Sequence, residues 1–201
     1  MALDLIRTVN VGYIPRGLTF DGKHIYGIDA VALTVKKHDI ALRLVRTSAA
    51  LGYQAVGLAF DGKHLYISDL TNSVLRKYDK DFNLIRTSGG LGYLPYGLTH
   101  DGKYLYVIDF NGRLARKYDE NFNMVRTSGG LGYMGYSVTN DGKHLYITDL
   151  VGLRIRKYDK DFNLLNTSGV LGANQMTGIT YDGRYLYVGN TGNTISKYSW
   201  T

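Results

Sequence analysis

Gly97–Tyr133 reads GLTHDGKYLYVIDFNGRLARKYDENFNMVRTSGGLGY. Gly97-Leu98-Thr99-His100 has the length of a short strand, and Asp101-Gly102 is a strong hairpin signal, a turn whose two central residues both take φ > 0. Tyr104-Leu105-Tyr106-Val107-Ile108-Asp109 is rich in the aromatic and β-branched side chains that suit a pleated sheet. Phe110-Asn111-Gly112-Arg113 turns the chain, Leu114–Tyr118 returns as a third strand, and Asp119-Glu120-Asn121-Phe122 reverses it again. Asn123–Ser128 makes a fourth strand before Gly129-Gly130-Leu131-Gly132-Tyr133 crosses onward. The unit is therefore four short antiparallel strands.

The same unit returns along the chain. Asp21-Gly22-Lys23, Asp61-Gly62-Lys63, Asp101-Gly102-Lys103 and Asp141-Gly142-Lys143 recur every 40 residues, and Asp182-Gly183-Arg184 closes the series one residue late. A repeat of about 40 residues built from four strands is the pattern of a β-propeller blade. The 201 residues thus divide into a single all-β, five-bladed propeller with blades over about 17–48, 57–88, 97–128, 137–168 and 178–201. The last blade has only three strands of its own. Leu5-Ile6-Arg7-Thr8 matches the fourth strand Leu84-Ile85-Arg86-Thr87, so residues 3–8 are expected to complete it and seal the ring, which removes an unpaired edge.

The unit at 57–89, GLAFDGKHLYISDLTNSVLRKYDKDFNLIRTSG, resembles an NHL-type repeat and is similar to YVTN-type repeats, and the likeness extends over all five units. It implies a propeller whose relatives include protein binders, RNA binders and a few lyases. The histidine and carboxylate metal sites of the lyases have no counterpart here, and five blades depart from the six usual in that family. The resemblance also implies that Asp29, Asp69, Asp109 and Asp149, with Asn190 in the fifth copy, are structural and hold the adjoining loop.

Composition narrows the function classes. With no cysteine, disulfides, thiolate metal sites and cysteine catalysis are unavailable. No apolar run reaches the ~20 residues that span a bilayer, so no membrane insertion is expected. Met1–Thr8 lacks a charged region followed by an apolar one, so no signal peptide is read and the cytoplasm is the default compartment. A net charge of +7 permits anionic partners without naming one. A monomer is expected.

A reaction centre needs groups that break the repeat, and few do. All aspartates but Asp4 sit on recurring turns or strand ends. The lone glutamate, Glu120, stands where neighbouring copies have Lys80 and Lys160. His24, His64 and His144 share one position with Tyr104 and Tyr185, which marks a half-exposed strand site more than a ligand set. His100 shares its position with Phe20, Phe60, Asn140 and Tyr181. Asp79-Lys80-Asp81 and Asp159-Lys160-Asp161 imitate the opening of a calcium loop but lack its glycine and its closing glutamate. The expectation is a non-enzyme without metal or cofactor.

The copies differ mainly on one rim. The D-G-K and Y-D-K-D-F-N turns barely vary. The crossings and the loops between second and third strands diverge, and such loops commonly carry specificity. The candidate ligand-binding residues are Tyr13, Tyr53, Tyr93, Tyr96, Phe110, Tyr133 and Tyr136, for a protein or glycan partner. A rival candidate is a basic ring of Lys23, Lys63, Lys103, Lys143 and Arg184 on the invariant rim, suited to a polyanion. A third reading is a structural building block or an engineered scaffold without ligand.

Overall fold

The computed structural model describes residues 3–172 and 174–200; Thr201, expected within the last blade, lies outside them. Every regular element among the described residues is a strand. β1 (Leu3–Asn10) comes first. Blade one is β2 (Pro15–Phe20), β3 (Ile25–Asp29), β4 (Thr34–His38) and β5 (Leu44–Thr47). Blade two is β6 (Ala55–Phe60), β7 (Leu65–Asp69), β8 (Val74–Tyr78) and β9 (Leu84–Thr87). Blade three is β10 (Pro95–His100), β11 (Leu105–Asp109), β12 (Leu114–Tyr118) and β13 (Met124–Thr127). Blade four is β14 (Gly135–Asn140), β15 (His144–Asp149), β16 (Arg154–Asp159) and β17 (Leu164–Thr167). Blade five is β18 (Met176–Tyr181), β19 (Leu186–Asn190) and β20 (Thr194–Trp200). Each blade is an antiparallel four-stranded sheet, and β1 is the outermost strand of blade five, paired with β20 from Leu3↔Trp200 to Asn10↔Thr194. The molecule is a five-bladed β-propeller closed by its N-terminal strand.

The innermost strands begin at Pro15, Ala55, Pro95, Gly135 and Met176, ahead of the expected Gly17, Gly57, Gly97, Ser137 and Gly178. A register shift near the start of each strand explains the difference: Pro95 pairs with Asp109 and Leu98 with Val107, so two residues face Ile108 alone. The bulge turns Tyr96-Gly97 toward the axis, where neighbouring blades nearly touch. A Cβ on Gly57 would stand within van der Waals overlap of the Tyr96 carbonyl oxygen, and only glycine fits.

The hairpin chemistry differs from expectation. Gly22, Gly62, Gly102, Gly142 and Gly183 have positive φ, but the aspartates before them do not. Each aspartate acts instead as an Asx acceptor. Asp61 Oδ1 takes the N–H groups of Lys63 and His64 at 2.7 and 2.6 Å, and Oδ2 takes the Tyr66 hydroxyl at 2.8 Å. Asp21–Tyr26, Asp101–Tyr106, Asp141–Tyr146 and Asp182–Tyr187 repeat the hydroxyl bond. The turn motif is thus tied to the buried tyrosine of its own second strand.

There is no single central core. Five apolar clusters lie between adjacent blades: Ile28 with Leu58 and Ile67, Leu75 with Leu98 and Val107, Ile108 with Val138 and Ile147, Ile155 with Ile179 and Val188, and Ile195 with Leu18 and Ile25. Each sheet face is buried against its neighbour, which is what a ring of twisted sheets requires.

Candidate functional site

On the variable rim the crossings place their tyrosines inward. Gly12, Gly52, Gly92 and Gly132 take φ of 72 to 77°, and the following side chain tucks under the adjoining loop. Tyr13, Tyr53 and Tyr133 are 5 to 7% exposed, and Tyr93 is half-buried. The Tyr53 hydroxyl pairs with that of Tyr78 at 2.8 Å, Tyr93 with Tyr118 at 2.7 Å, and Tyr158 with Tyr133 at 3.0 Å. Burial pushes the Tyr53, Tyr93 and Tyr133 hydroxyls far above their usual range. Of these four candidate residues, Tyr13, Tyr53 and Tyr133 are thus buried and Tyr93 is half-buried, and three of their hydroxyls are engaged within the blades.

The same tyrosines carry the arginines. The guanidinium of Arg76 lies 4.6 Å over Tyr53, Arg116 lies 4.4 Å over Tyr93 and Arg156 lies 4.2 Å over Tyr133. Each also pairs with an aspartate: Asp69 at 2.7 Å, Asp109 at 2.6 Å and Asp149 at 2.8 Å, with Lys36 and Asp29 at 3.2 Å in blade one. The other carboxylate oxygen takes loop N–H groups from Asn72, Gly112, Gly152 and, in blade one, Val31 and Ala32. Asn190 Oδ1 accepts from Gly192 N–H and the Thr194 hydroxyl. Aspartate, arginine and tyrosine form one largely buried unit in blades two to four.

What remains at the variable surface is an asymmetric aromatic group. Tyr96 and Phe110 stack with centroids 4.1 Å apart at 14°, and Tyr136 meets Tyr96 edge-on at 5.0 Å. Tyr96 and Phe110 are half-buried and Tyr136 is buried. Burial pushes the Tyr136 hydroxyl up to about 12, with the positive charge of Arg16 opposing the rise. Arg16 Nε is itself buried without a hydrogen-bond partner among the described residues. Positions equivalent to Tyr96 and Tyr136 hold Arg16, Val56 and Thr177, so the group belongs to one side of the ring only.

The opposite rim carries the basic residues. Lys23, Lys63, Lys103, Lys143 and Arg184 are exposed, and none joins an ion pair between described residues. The outer arginines are engaged. Arg46 lies 3.5 Å from Asp81, Arg86 donates to Asn121 at 3.1 Å and Arg126 pairs with Asp161 at 2.6 Å, each linking one blade to the next. His64 and His144 sit 3.0 Å from Asp61 and Asp141. Burial raises the carboxyl pKa of Asp61, but the N–H donors of His64 and Lys63, with the side chains of His64 and Tyr66, hold it well below the usual range. The turns that imitate a calcium loop spend their oxygens internally: Asp79 accepts from Asp81 N–H, Asn83 N–H and the Asn83 amide.

This rim also holds a cleft that the repeat pattern did not reveal. Between blades two and three an open cleft of about 600 Å³ is lined by Asp61, His64, Tyr66, Lys77, His100 and Glu120, among others. His100 stacks on Tyr66 at 5.5 Å and accepts the Gly102 N–H at Nδ1. The available signal was the lone Glu120 in a lysine position; its meaning depends on the blade it faces.

No protein-family model matches the chain, and no curated protein matches it in sequence. Solved structures do match. Glutaminyl cyclase from Myxococcus xanthus superposes with a TM-score of 0.83 at 16% identity, covering 98% of this chain and 95% of that one. A chain of the nidogen/laminin complex gives 0.69 at 17% identity, covering 89% and 72%. A virginiamycin B lyase from Staphylococcus aureus gives 0.60 at 13% identity, covering 93% and 66%. These likenesses define the class, a β-propeller. At such identities the fold alone is shared.

Proposed function

We propose that the chain is a binding module that engages a protein or glycan partner through its variable rim, centred on Tyr96, Phe110 and Tyr136 with Arg16 close to Tyr136. The observation that carries this reading is the stacked Tyr96–Phe110 pair backed by Tyr136. It is the aromatic concentration that breaks fivefold symmetry, and tyrosine with arginine is the composition of binding hot spots. A match to the nidogen/laminin complex, a protein that assembles with another, lends it general support. The test is a pull-down from protein extracts and a glycan array with the intact chain, followed by Tyr96→Ala and Phe110→Ala. Loss of the captured partner by about 2 kcal/mol or more supports the assignment; full retention by the double variant overturns it.

A second reading is enzymatic, and the specific observation in its favour is the near end-to-end likeness to a glutaminyl cyclase. Incubating the chain with peptides that begin with glutamine, and measuring ammonia release, tests it directly. The unpaired basic ring supports polyanion binding as a further alternative, which a salt titration separates because such binding weakens steeply with ionic strength.

A further inference from the structure

The cleft between blades two and three is best understood beside its neighbour. Between blades three and four, Lys160 reaches back from its turn so that Nζ lies 3.2 Å from Asp101 Oδ2 and 4.9 Å over the Tyr106 ring. Asp101 and Tyr106 repeat in blade two as Asp61 and Tyr66, joined by the same hydroxyl-to-carboxylate bond at 2.8 Å against 2.9 Å. Where blade four supplies Lys160, blade three supplies Glu120. The ammonium of Lys160 therefore has no counterpart from the facing turn beside Asp61, whose Oδ2 lies 3.0 Å from His64 Nδ1, and a second carboxylate lines the space instead.

We infer that the cleft between blades two and three binds a primary alkylammonium group, taken between Asp61 and Glu120 at the position that Lys160 fills one blade further on. Asp61 keeps its charge through its hydrogen bonds, and the Glu120 carboxylate enters no ion pair between described residues. The volume of about 600 Å³ exceeds what one ammonium head needs, so the ligand carries a chain or a peptide behind it. Lys63, Lys77 and Lys103 also line the cleft. Lys77 lies 5.3 Å over the Tyr66 ring and Lys103 lies 5.0 Å over Tyr104. They make inorganic phosphate the natural competing probe. The site lies on the rim opposite the aromatic group, so it stands or falls independently of the proposed partner surface.

The experiment follows the backbone amide signals of His64, Gly102 and Asn121 in the ¹⁵N-labelled full chain during titration. n-Butylammonium and Nα-acetyl-lysine methylamide are the amine probes; n-butanol and the Nε-acetylated lysine derivative are the neutral controls. Saturable shifts with the amines and none with the neutral controls are expected. Glu120→Lys, which copies the residue of blades two and four, should weaken amine binding at least about tenfold, and Glu120→Gln should weaken it by less. The better of the two amines shows whether the natural ligand is a small amine or a partner's lysine. Equal shifts from the neutral controls, unchanged affinity in Glu120→Lys, or tighter binding of inorganic phosphate to the same amides would overturn the inference.

Discussion

Tyr13 and His38 stack with centroids 5.8 Å apart, yet the Tyr13 hydroxyl and His38 Nδ1 are both buried with no hydrogen-bond partner among the described residues. In blades two to four the corresponding pair is two tyrosines whose hydroxyls bond to each other. Blade one has lost that bond through a single change, histidine for tyrosine. The Tyr13 hydroxyl has also moved into space left by Gly27, whose Cβ would lie 2.8 Å from it; the other blades have Ile67, Val107, Ile147 and Val188 there.

Restoring the blade pattern should therefore stabilise the ring. His38→Tyr is expected to add about 1–2 kcal/mol, since it satisfies a buried donor that otherwise costs about that much. Gly27→Val alone should destabilise, because it drives a methyl into the Tyr13 hydroxyl. Combined with His38→Tyr it should do so less. Chemical denaturation of the three variants measures this, and strict additivity would speak against a coupled pair.

The same histidine sets an acid sensitivity. Burial lowers the His38 pKa, reinforced by Lys36 and opposed by the backbone and Asp39; burial also lowers that of His100. The folded state then binds fewer protons than the unfolded chain, so stability is full above about pH 6.5 and falls as pH drops below it. Asp61 and Asp141, also lowered, add their loss only below about pH 4. Melting temperatures at pH 7.5 and 5.5 should differ, and the difference should shrink in His38→Tyr. An equal difference in both proteins would show that His38 is not the responsive group.

Two arginines from different positions of the repeat, Arg76 on a third strand and Arg46 on a fourth, should behave differently. Arg76 pairs with Asp69, which is fully buried, so Arg76→Ala leaves a buried carboxylate without its counter-charge and should cost about 3 kcal/mol. Arg46 meets Asp81 at 3.5 Å with both side chains more than half exposed, and Arg46→Ala should cost under about 1 kcal/mol. Urea unfolding midpoints of the two variants give the comparison.

Removing residues 3–10 takes away β1 and strips its partner strand β20 of a whole ladder. Exposed N–H and C=O groups would then form an open edge. A large fall in melting temperature, with concentration-dependent association, is the expected result. An unchanged melt would contradict closure through this strand.

The architecture was legible because its determinants are local. Asp-Gly at a fixed period marks each hairpin, and Leu5-Ile6-Arg7-Thr8 declares itself a displaced fourth strand by likeness to Leu84-Ile85-Arg86-Thr87. The candidate site was legible only in part. Gly-Tyr in a glycine-rich crossing resembles an exposed loop, but the positive φ of Gly52 turns Tyr53 beneath Arg76, a direction that depends on three dimensions. Glu120 stood out as an oddity, and its consequence appeared only with Asp61 and Tyr66 of the preceding blade opposite it. Symmetry-breaking residues are read best against the neighbour they face rather than the copy they replace.

The pairing of β1 with β20 begins at Leu3↔Trp200, so the start of β1 and the end of β20 lie together at one end of the ladder. A pull on the two ends would load those hydrogen bonds one after another, as a zipper is opened, instead of all at once in shear. The ring is thus a disc with a mechanical seam: held elsewhere by its five apolar interfaces, and most easily parted by tension applied at that one place.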